Sequence, residues 1–122
     1  MIRTGIDLIK ISRFENTQNF GSLVERVCIP SEKEWLLKHP RQTEKLAGVY
    51  ALKEAFSKAL GTGIGSEFSF KDLEVTFDGK GRPLVSYVGA KFEKKAVNWE
   101  IAASISHDEG FLVAIIVIEG DI

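Results

Sequence analysis

The chain has 122 residues, of which 44% are hydrophobic and 27% are charged, and its formal net charge is −1 at pH 7. These proportions are typical of a folded globular protein, and the length predicts a single domain over residues 1–122. The near-zero charge argues against broad nucleic-acid binding, which needs a basic surface. Cys28 is the only cysteine, which excludes an intramolecular disulfide framework and a thiolate metal cluster.

The N-terminal stretch MIRTGIDLIKISRF lacks the long apolar segment of a signal peptide. No apolar run elsewhere reaches the length needed to cross a bilayer. We therefore expect a cytoplasmic protein that binds neither membranes nor nucleic acid.

The first third of the chain predicts one strand and several short helices. Apolar spacing places a strand over residues 1–9 and helical segments near residues 11–15, 20–27 and 31–37. Ser31 and Glu34 have the spacing of a capping box, in which the serine hydroxyl accepts the amide three residues on. The third helix is therefore predicted to begin at Ser31 and to end before Pro40.

Asp7 lies in the apolar strand, where aspartate is disfavoured. Its carboxylate either ends the strand and caps the segment that follows, which is the commoner role of aspartate, or it binds a ligand. The residues alone leave both interpretations open.

The longest predicted helix begins near Thr43 and ends at Gly61. Glu54 and Lys58 are four residues apart and share one helical face, and the spacing alone favours a solvated ion pair between them. The helix is followed by GTGIG, which has three glycines within five residues. Backbone amides in such a turn can face an anionic ligand, although glycine also ends many helices as an ordinary cap.

The second half of the chain is predicted to be mainly β. Strands are expected at residues 70–77, 84–88, 99–106 and 111–119, with a turn at 78–83, a short helix near 90–96 and a turn at 108–110. Residues 111–118 are apolar on both faces of a strand, so they need cover on both sides, which a subunit interface would supply. His107 follows Ser104 and Ser106 at the end of a strand, where histidine is most often a turn residue.

Asp7, Glu54 and Lys58 together indicate a kind of chemistry. Two carboxylates without thiolates or paired histidines suit Mg²⁺, which binds through one or two carboxylates while phosphates and waters complete its coordination. A lysine one turn beyond Glu54 is placed to contact a phosphate oxygen of the same ligand. The combination predicts phosphoryl-type chemistry, in which a metal ion and a lysine neutralise a diphosphate.

Four segments carry a resemblance to a known family: GID at 5–7, KEAFSKALG at 53–61, GRP at 81–83 and SISH at 104–107. In order and spacing they resemble holo-[acyl-carrier-protein] synthase, the short type of 4′-phosphopantetheinyl transferase, over essentially the whole chain. The resemblance implies an α+β fold with a small antiparallel sheet and helices packed on it. It also implies a homotrimer with active sites between subunits.

The activity that the resemblance implies is the Mg²⁺-dependent transfer of 4′-phosphopantetheine from coenzyme A to a serine of apo acyl carrier protein, for fatty-acid biosynthesis. Adenosine 3′,5′-bisphosphate would be released. Asp7 and Glu54 would hold the metal ion and act in catalysis with Lys58, which would also bind phosphate. Whether Glu54 or a metal-bound water that it orients is the base stays open.

The same resemblance implies two binding surfaces. The residues expected to contact coenzyme A are Lys58, Gly61, Gly63, Gly81, Arg82, Pro83 and His107. Lys10 and Arg13 would meet an acidic helix of the carrier protein, a contact that salt should weaken.

The chain departs from the family pattern at several positions. Many members carry an arginine and then Phe or Trp where this chain has Val49 and Tyr50, so one phosphate contact is not expected from position 49. Lys80 stands where an asparagine is common, and Arg82 replaces a lysine.

Two other functions fit the sequence less well than the transferase. A non-catalytic coenzyme A binding module would not require two costly carboxylates beside a diphosphate. A purely structural trimer with solvated charges would not explain why the four motifs occur together.

Overall fold

The computed structural model describes residues 1–15 and 17–122. In chain order the elements are β1 (Ile2–Lys10), a 3-10 turn (Ile11–Phe14), α1 (Thr17–Val27), α2 (Pro30–Leu37), α3 (Gln42–Leu60), a second 3-10 turn (Phe70–Asp72), β2 (Leu73–Phe77), β3 (Pro83–Tyr87), α4 (Glu93–Ala96), β4 (Glu100–Asp108) and β5 (Phe111–Glu119). None of the helices described has both the length and the apolar character needed to cross a membrane.

The strands form two antiparallel sheets. β5 lies at the centre of a three-stranded sheet between β1 and β4, and β2 pairs with β3 in a separate hairpin. The helices pack on these sheets, and their buried apolar side chains join those of the strands in one hydrophobic cluster within the described residues. The predicted α+β fold is therefore confirmed.

The helix α3 crosses the inner face of the three-stranded sheet. Gly5 marks its contact with β1, because a Cβ there would overlap the Ala55 carbonyl oxygen and lie 2.7 Å from the Ala59 amide nitrogen. Only glycine allows the strand to approach the helix backbone this closely.

The helix α3 also buries a charged side chain, because it is packed on several sides. The fully buried Lys53 Nζ donates to Glu32 Oε1 at 2.6 Å and to the Val27 carbonyl at 2.8 Å. Glu32 in turn accepts the amides of Ile29 and Val75 at 2.9 and 2.6 Å. Burial lowers the pKa of Lys53, against the attraction of Glu32, which raises it. This ion pair, which we call the buried clamp, joins α1, α2 and β2 to α3.

The predicted capping box of Ser31 and Glu34 is wrong, because α2 begins one residue earlier, at Pro30. Proline at the first helical position has no amide that needs a partner. Glu32 accepts the preceding Ile29 amide, whereas the Ser31 hydroxyl donates to Glu74 at 3.2 Å. Glu34 forms an exposed ion pair with Lys38.

Asp7 does not end the first strand, so the capping interpretation is wrong. The strand β1 continues to Lys10, Asp7 lies opposite Ala114 of β5, and the 3-10 turn that follows has no side-chain cap. Alternation from Gly5 places the Asp7 side chain on the inner face of the sheet, where α3 packs.

His107 is likewise a strand residue rather than a turn residue. It lies opposite Leu112, and β4 extends to Asp108, so the tight turn consists of Glu109 and Gly110. Both turn residues have positive φ, 54° and 80°, which matches the right-handed twist of the strands they join.

The opposite face of the three-stranded sheet, the outer face, is apolar and uncovered. Ile6 pairs with Ile115 and Leu8 with Val113, and the exposed fractions of Ile6, Leu8 and Ile115 are 57%, 66% and 40%. Among the described residues, α3 covers the inner face of β5 and no element covers its outer face. A contiguous exposed apolar patch of this kind is typical of an interaction surface.

Candidate active site

Lys58 brings the last turn of α3 to the strand β1. Its Nζ donates to Asp7 Oδ1 at 3.0 Å and to the Ile6 carbonyl at 2.9 Å. The predicted ion pair between Glu54 and Lys58 is therefore wrong: the lysine pairs with Asp7, because Gly5 lets the strand lie against the helix. The Lys58 side chain is 51% exposed and that of Asp7 is 12% exposed, so the pair opens to solvent on the lysine side.

Both carboxylates of the predicted site have unused oxygens. Asp7 Oδ2 is buried and has no hydrogen-bond partner in the part of the chain that the structure describes. Glu54 is half-buried one turn before Lys58, and its carboxylate has no hydrogen bond or ion pair to any described residue. Lys58 thus brings Asp7 to the helical face that also carries Glu54.

This donor set fits a hard divalent cation. A buried carboxylate oxygen without a partner costs about 1–3 kcal/mol, and a bound cation would remove that cost at Asp7 Oδ2. No group of three or more His, Cys, Asp or Glu able to hold a metal ion occurs among the described residues. Two carboxylates alone suit Mg²⁺, which completes its coordination with phosphate and water, better than Zn²⁺, which takes three or four protein ligands.

The glycine turn after α3 is built as a helix cap. The amides of Gly61, Thr62 and Gly63 all donate to the Ser57 carbonyl, at 3.0, 3.1 and 3.3 Å. Gly61 and Gly63 have φ of 84° and 66°, a conformation that favours glycine. These amides are not free to bind an anion in this conformation, so a contact of Gly61 or Gly63 with coenzyme A stays a prediction.

A second feature, which we call the hairpin cleft, lies near the N-terminal end of α3. It has a volume of about 180 Å³, and its walls include Gly81 and Pro83 of the β2–β3 turn and His107 of β4. A wider groove of about 710 Å³ between α1 and α2 contains none of the predicted site residues, so volume alone does not locate the site.

Asp78 holds the hairpin turn in shape. Its Oδ1 accepts the amides of Arg82 and Lys80, both at 2.9 Å, and these bonds lower the pKa of Asp78. The Arg82 guanidinium lies 3.5 Å from the other oxygen of Asp78 and is largely exposed. Arg82 does not line the hairpin cleft, whereas Gly81 and Pro83 on either side of it do.

Two residues of the hairpin cleft were missed by reasoning from the sequence, Glu44 and Lys45. Glu44 Oε1 lies 3.8 Å from His107 Nε2, and Glu44 Oε2 lies 3.8 Å from Lys45 Nζ. The Lys45 ammonium also lies 5.9 Å from the centre of the Phe77 ring. A Glu-Lys pair near a helix start is typical of a solvated surface, so no local signal marked these residues.

A comparison with protein families shows which family the chain belongs to. The family model described as the 4′-phosphopantetheinyl transferase superfamily matches residues 3–116. The chain belongs to this superfamily.

Individual superfamily members match over nearly the whole chain. A holo-[acyl-carrier-protein] synthase of Nautilia profundicola is 43% identical over 116 residues, which cover 93% of this chain and 96% of that protein. The Helicobacter pylori holo-[acyl-carrier-protein] synthase, solved in complex with coenzyme A, has a TM-score of 0.80 and 38% identity, covering 98% of this chain and all of that one. The Bacillus anthracis enzyme, solved in complex with CoA (3′,5′-ADP), has a TM-score of 0.81 and 37% identity, covering 98% and 96%.

Lys10 and Arg13 follow Asp7 closely in sequence and are exposed. Lys10 Nζ lies 5.6 Å from the centre of the Phe111 ring, and the Arg13 guanidinium lies 5.4 Å from that of Tyr50. Tyr50 thus holds a cation at the surface, whereas Val49 is buried in the core and supplies no charge to either part of the site.

Proposed function

We propose that the chain is a holo-[acyl-carrier-protein] synthase, which transfers 4′-phosphopantetheine from coenzyme A to a serine hydroxyl of apo acyl carrier protein. The observation that carries this proposal is Asp7, which is held by Lys58 at 3.0 Å and keeps a buried oxygen without a partner. Membership of the superfamily supports it, as do relatives named holo-[acyl-carrier-protein] synthase and the H. pylori structure in complex with coenzyme A.

In this proposal Asp7, Glu54 and Lys58 have different roles at the reacting diphosphate. Asp7 and Glu54 would hold Mg²⁺, which supplies positive charge against the phosphate oxygens. Lys58 has three N–H groups, of which two are donated to Asp7 and Ile6. The third is available to a phosphate oxygen on the exposed side of the pair.

The proposed transfer is a displacement at phosphorus, in which one O–P bond forms and another breaks. The carrier serine oxygen attacks the β-phosphorus of coenzyme A and forms a new O–P bond. The bond from that phosphorus to the bridging oxygen breaks, and adenosine 3′,5′-bisphosphate leaves with the oxygen. In this proposal the serine proton goes to Glu54, whose carboxylate accepts no hydrogen bond within the described chain, or to a water that Glu54 orients.

Each active site in this proposal is shared between two chains of a homotrimer. Asp7 lies on β1 and His107 on β4, at opposite edges of the sheet, and α3 covers the inner face between them. Within one chain the helix α3 thus lies between the two residues, which favours a ligand that contacts Asp7 of one chain and His107 of another. The hairpin cleft, at about 180 Å³, is also smaller than the roughly 300–1,000 Å³ of pockets that enclose a whole ligand. The apolar outer face would supply the contact between copies.

The carrier protein would dock beside the Asp7 end of the site. Lys10 and Arg13 follow Asp7 closely in sequence and are exposed, so they can meet an acidic helix. A contact of this kind raises the association rate and weakens as salt is added.

The proposal is tested by incubating the protein with apo acyl carrier protein, coenzyme A and Mg²⁺ and weighing the carrier by mass spectrometry. We expect the carrier to gain the mass of one phosphopantetheine. Asp7→Asn keeps the shape of the side chain and removes its charge, so we expect the rate to fall by about 100-fold or more with little change in the thermal unfolding curve.

Three results would count against parts of this proposal. A parent protein that binds coenzyme A but never modifies the carrier would be a binding module rather than a transferase. An Asp7→Asn variant as fast as the parent would show that Asp7 does not hold the metal ion. Full activity after chelation of divalent ions would show that the reaction does not need a metal ion.

A further inference from the structure

We infer that Lys45 is a specificity residue that binds the 3′-phosphate of coenzyme A in the hairpin cleft. This inference rests on the proposed function and adds a residue that none of the four sequence motifs contains. It concerns the end of the ligand that takes no part in the bond changes.

The Lys45 ammonium is a partly buried cation with unused hydrogen-bond donors. Its Nζ lies 3.8 Å from Glu44 Oε2, which is too far for a hydrogen bond. No described residue accepts a hydrogen bond from it. The side chain is 29% exposed and forms part of the cleft wall, where the Phe77 ring lies 5.9 Å from the ammonium. The three N–H groups of Lys45 are thus available to a ligand in the cleft.

His107 brings a second nitrogen group to the same wall. Its Nε2 lies 3.8 Å from the other oxygen of Glu44, again beyond hydrogen-bond distance. Glu44 therefore holds both nitrogen groups at the cleft without using their N–H groups. A phosphate monoester carries close to two negative charges and three acceptor oxygens. It would replace two loose contacts with shorter, stronger charge-assisted hydrogen bonds.

Among the described residues that line the cleft, Lys45 is the one lysine, and no arginine is present there. The neighbouring candidates are committed elsewhere: Arg82 pairs with Asp78 outside the cleft, and position 49 is a buried valine. A phosphate in this cleft therefore depends on Lys45 for its charge balance.

The position of Lys45 along α3 places it far from a diphosphate bound at Lys58 of the same chain. Lys45 lies more than three turns before Lys58 on this helix, about 20 Å along the axis. In the proposed function, the reacting diphosphate belongs to the Asp7 and Lys58 end. The phosphate left for the hairpin cleft is the non-reacting 3′-phosphate of the ribose, with the ligand spanning two chains.

The test compares coenzyme A with 3′-dephospho-coenzyme A by titration calorimetry, which needs no turnover. In the Lys45→Met variant we expect the affinity for coenzyme A to fall about 10- to 100-fold. The affinity for 3′-dephospho-coenzyme A should stay near that of the parent. Lys45→Arg keeps the charge and should retain most of the affinity for coenzyme A.

Lys80→Met is the matched control, because Lys80 is an exposed lysine of the nearby hairpin turn that does not line the cleft. It should leave both affinities unchanged. An equal loss for the two ligands in Lys45→Met, or no loss for either, would overturn the assignment of Lys45. A parent protein that binds neither ligand would overturn the proposed function and this inference with it, so the two failures are distinguishable.

Discussion

Lys58 links the two elements that carry the carboxylates, and its contacts give it a structural role beside the one it has in the proposed function. Two of its N–H groups are donated to β1, and the side chain is half exposed. The Asp7 carboxylate is only 12% exposed, so loss of the lysine would leave its second oxygen without a partner, which costs about 1–3 kcal/mol. A charge-assisted hydrogen bond to a phosphate is worth about 1.5–3 kcal/mol. The lysine should therefore matter for both turnover and folding.

We predict that Lys58→Met lowers kcat/KM for coenzyme A about 10- to 100-fold and lowers the free energy of unfolding by about 1–3 kcal/mol, because the largely buried Asp7 carboxylate loses its partner. Steady-state kinetics and urea denaturation measure the two effects. Lys91→Met is the control, since Lys91 is as exposed as Lys58 and forms an ion pair of similar length with the exposed Glu67, away from both parts of the site. Equal kinetics in Lys58→Met and Lys91→Met would make Lys58 an ordinary surface residue.

Residue types and spacing led to the candidate site residues, but they did not predict which side chains contact one another. The four-residue spacing favoured a pair between Glu54 and Lys58, whereas the lysine contacts Asp7. That contact depends on the close approach of β1 at Gly5, which joins parts of the chain some fifty residues apart. Glu44 was not predicted either, because only the packing of β4 near α3 brings His107 to it.

At the scale of whole elements, the buried clamp decides how α3 sits in the fold. Lys53 and Glu32 together contact α1, α2 and β2, and every polar atom of the pair has a partner. Glu54 and Lys58 lie on the same helix, so the clamp also restricts where these two candidate site residues lie. Removing one member of a buried pair leaves the other charge without compensation, which costs about 3–5 kcal/mol.

We therefore predict that Lys53→Met lowers the free energy of unfolding by about 3–5 kcal/mol. The double variant with Glu32→Leu should be more stable than Lys53→Met alone, because it removes the uncompensated carboxylate. Some loss should remain, since the Val75 amide would have no acceptor. Urea unfolding measures all three proteins, with Lys38→Met at an exposed pair as control. A double variant no more stable than the single one would contradict this account.

Element boundaries were predicted well where local chemistry alone sets them. The end of α3 at Gly61 and the strand β5 follow from a left-handed cap and an apolar run. The start of α2 was misplaced because Pro30, rather than Ser31, begins the helix. The clamp was not predicted, because Lys53 lies in a sequence that reads as an ordinary solvated helix and its partner is far away in the chain.

At the scale of the molecule, the outer face is the feature that the proposed trimer would explain. Ile6, Leu8 and Ile115 leave apolar surface exposed on a sheet whose other face packs against α3. The proposed trimer would bury this surface and bring the Asp7 end of one chain to the hairpin cleft of another. Assembly and activity should then be lost together.

We predict that Ile115→Lys converts the protein from a trimer to a monomer, because it places a charge at the centre of the outer face. The monomer should have almost no transferase activity. Light scattering after size exclusion, combined with the carrier mass assay, measures both properties. Val97→Lys is the control, since Val97 is 77% exposed and lies outside the sheet. A monomeric variant that keeps the parent rate would show that one chain holds a whole site.

Gly5 of β1 has a consequence for any redesign of this protein. Gly5 lets the strand rest on the backbone of α3, and Asp7 follows two residues later on the same side. One added methyl group would lift the strand and stretch the reach between Asp7 and Lys58. The spacing between the Asp7 and Lys58 charges therefore depends on the missing Cβ of residue 5, and any redesign of the candidate site has to keep glycine there.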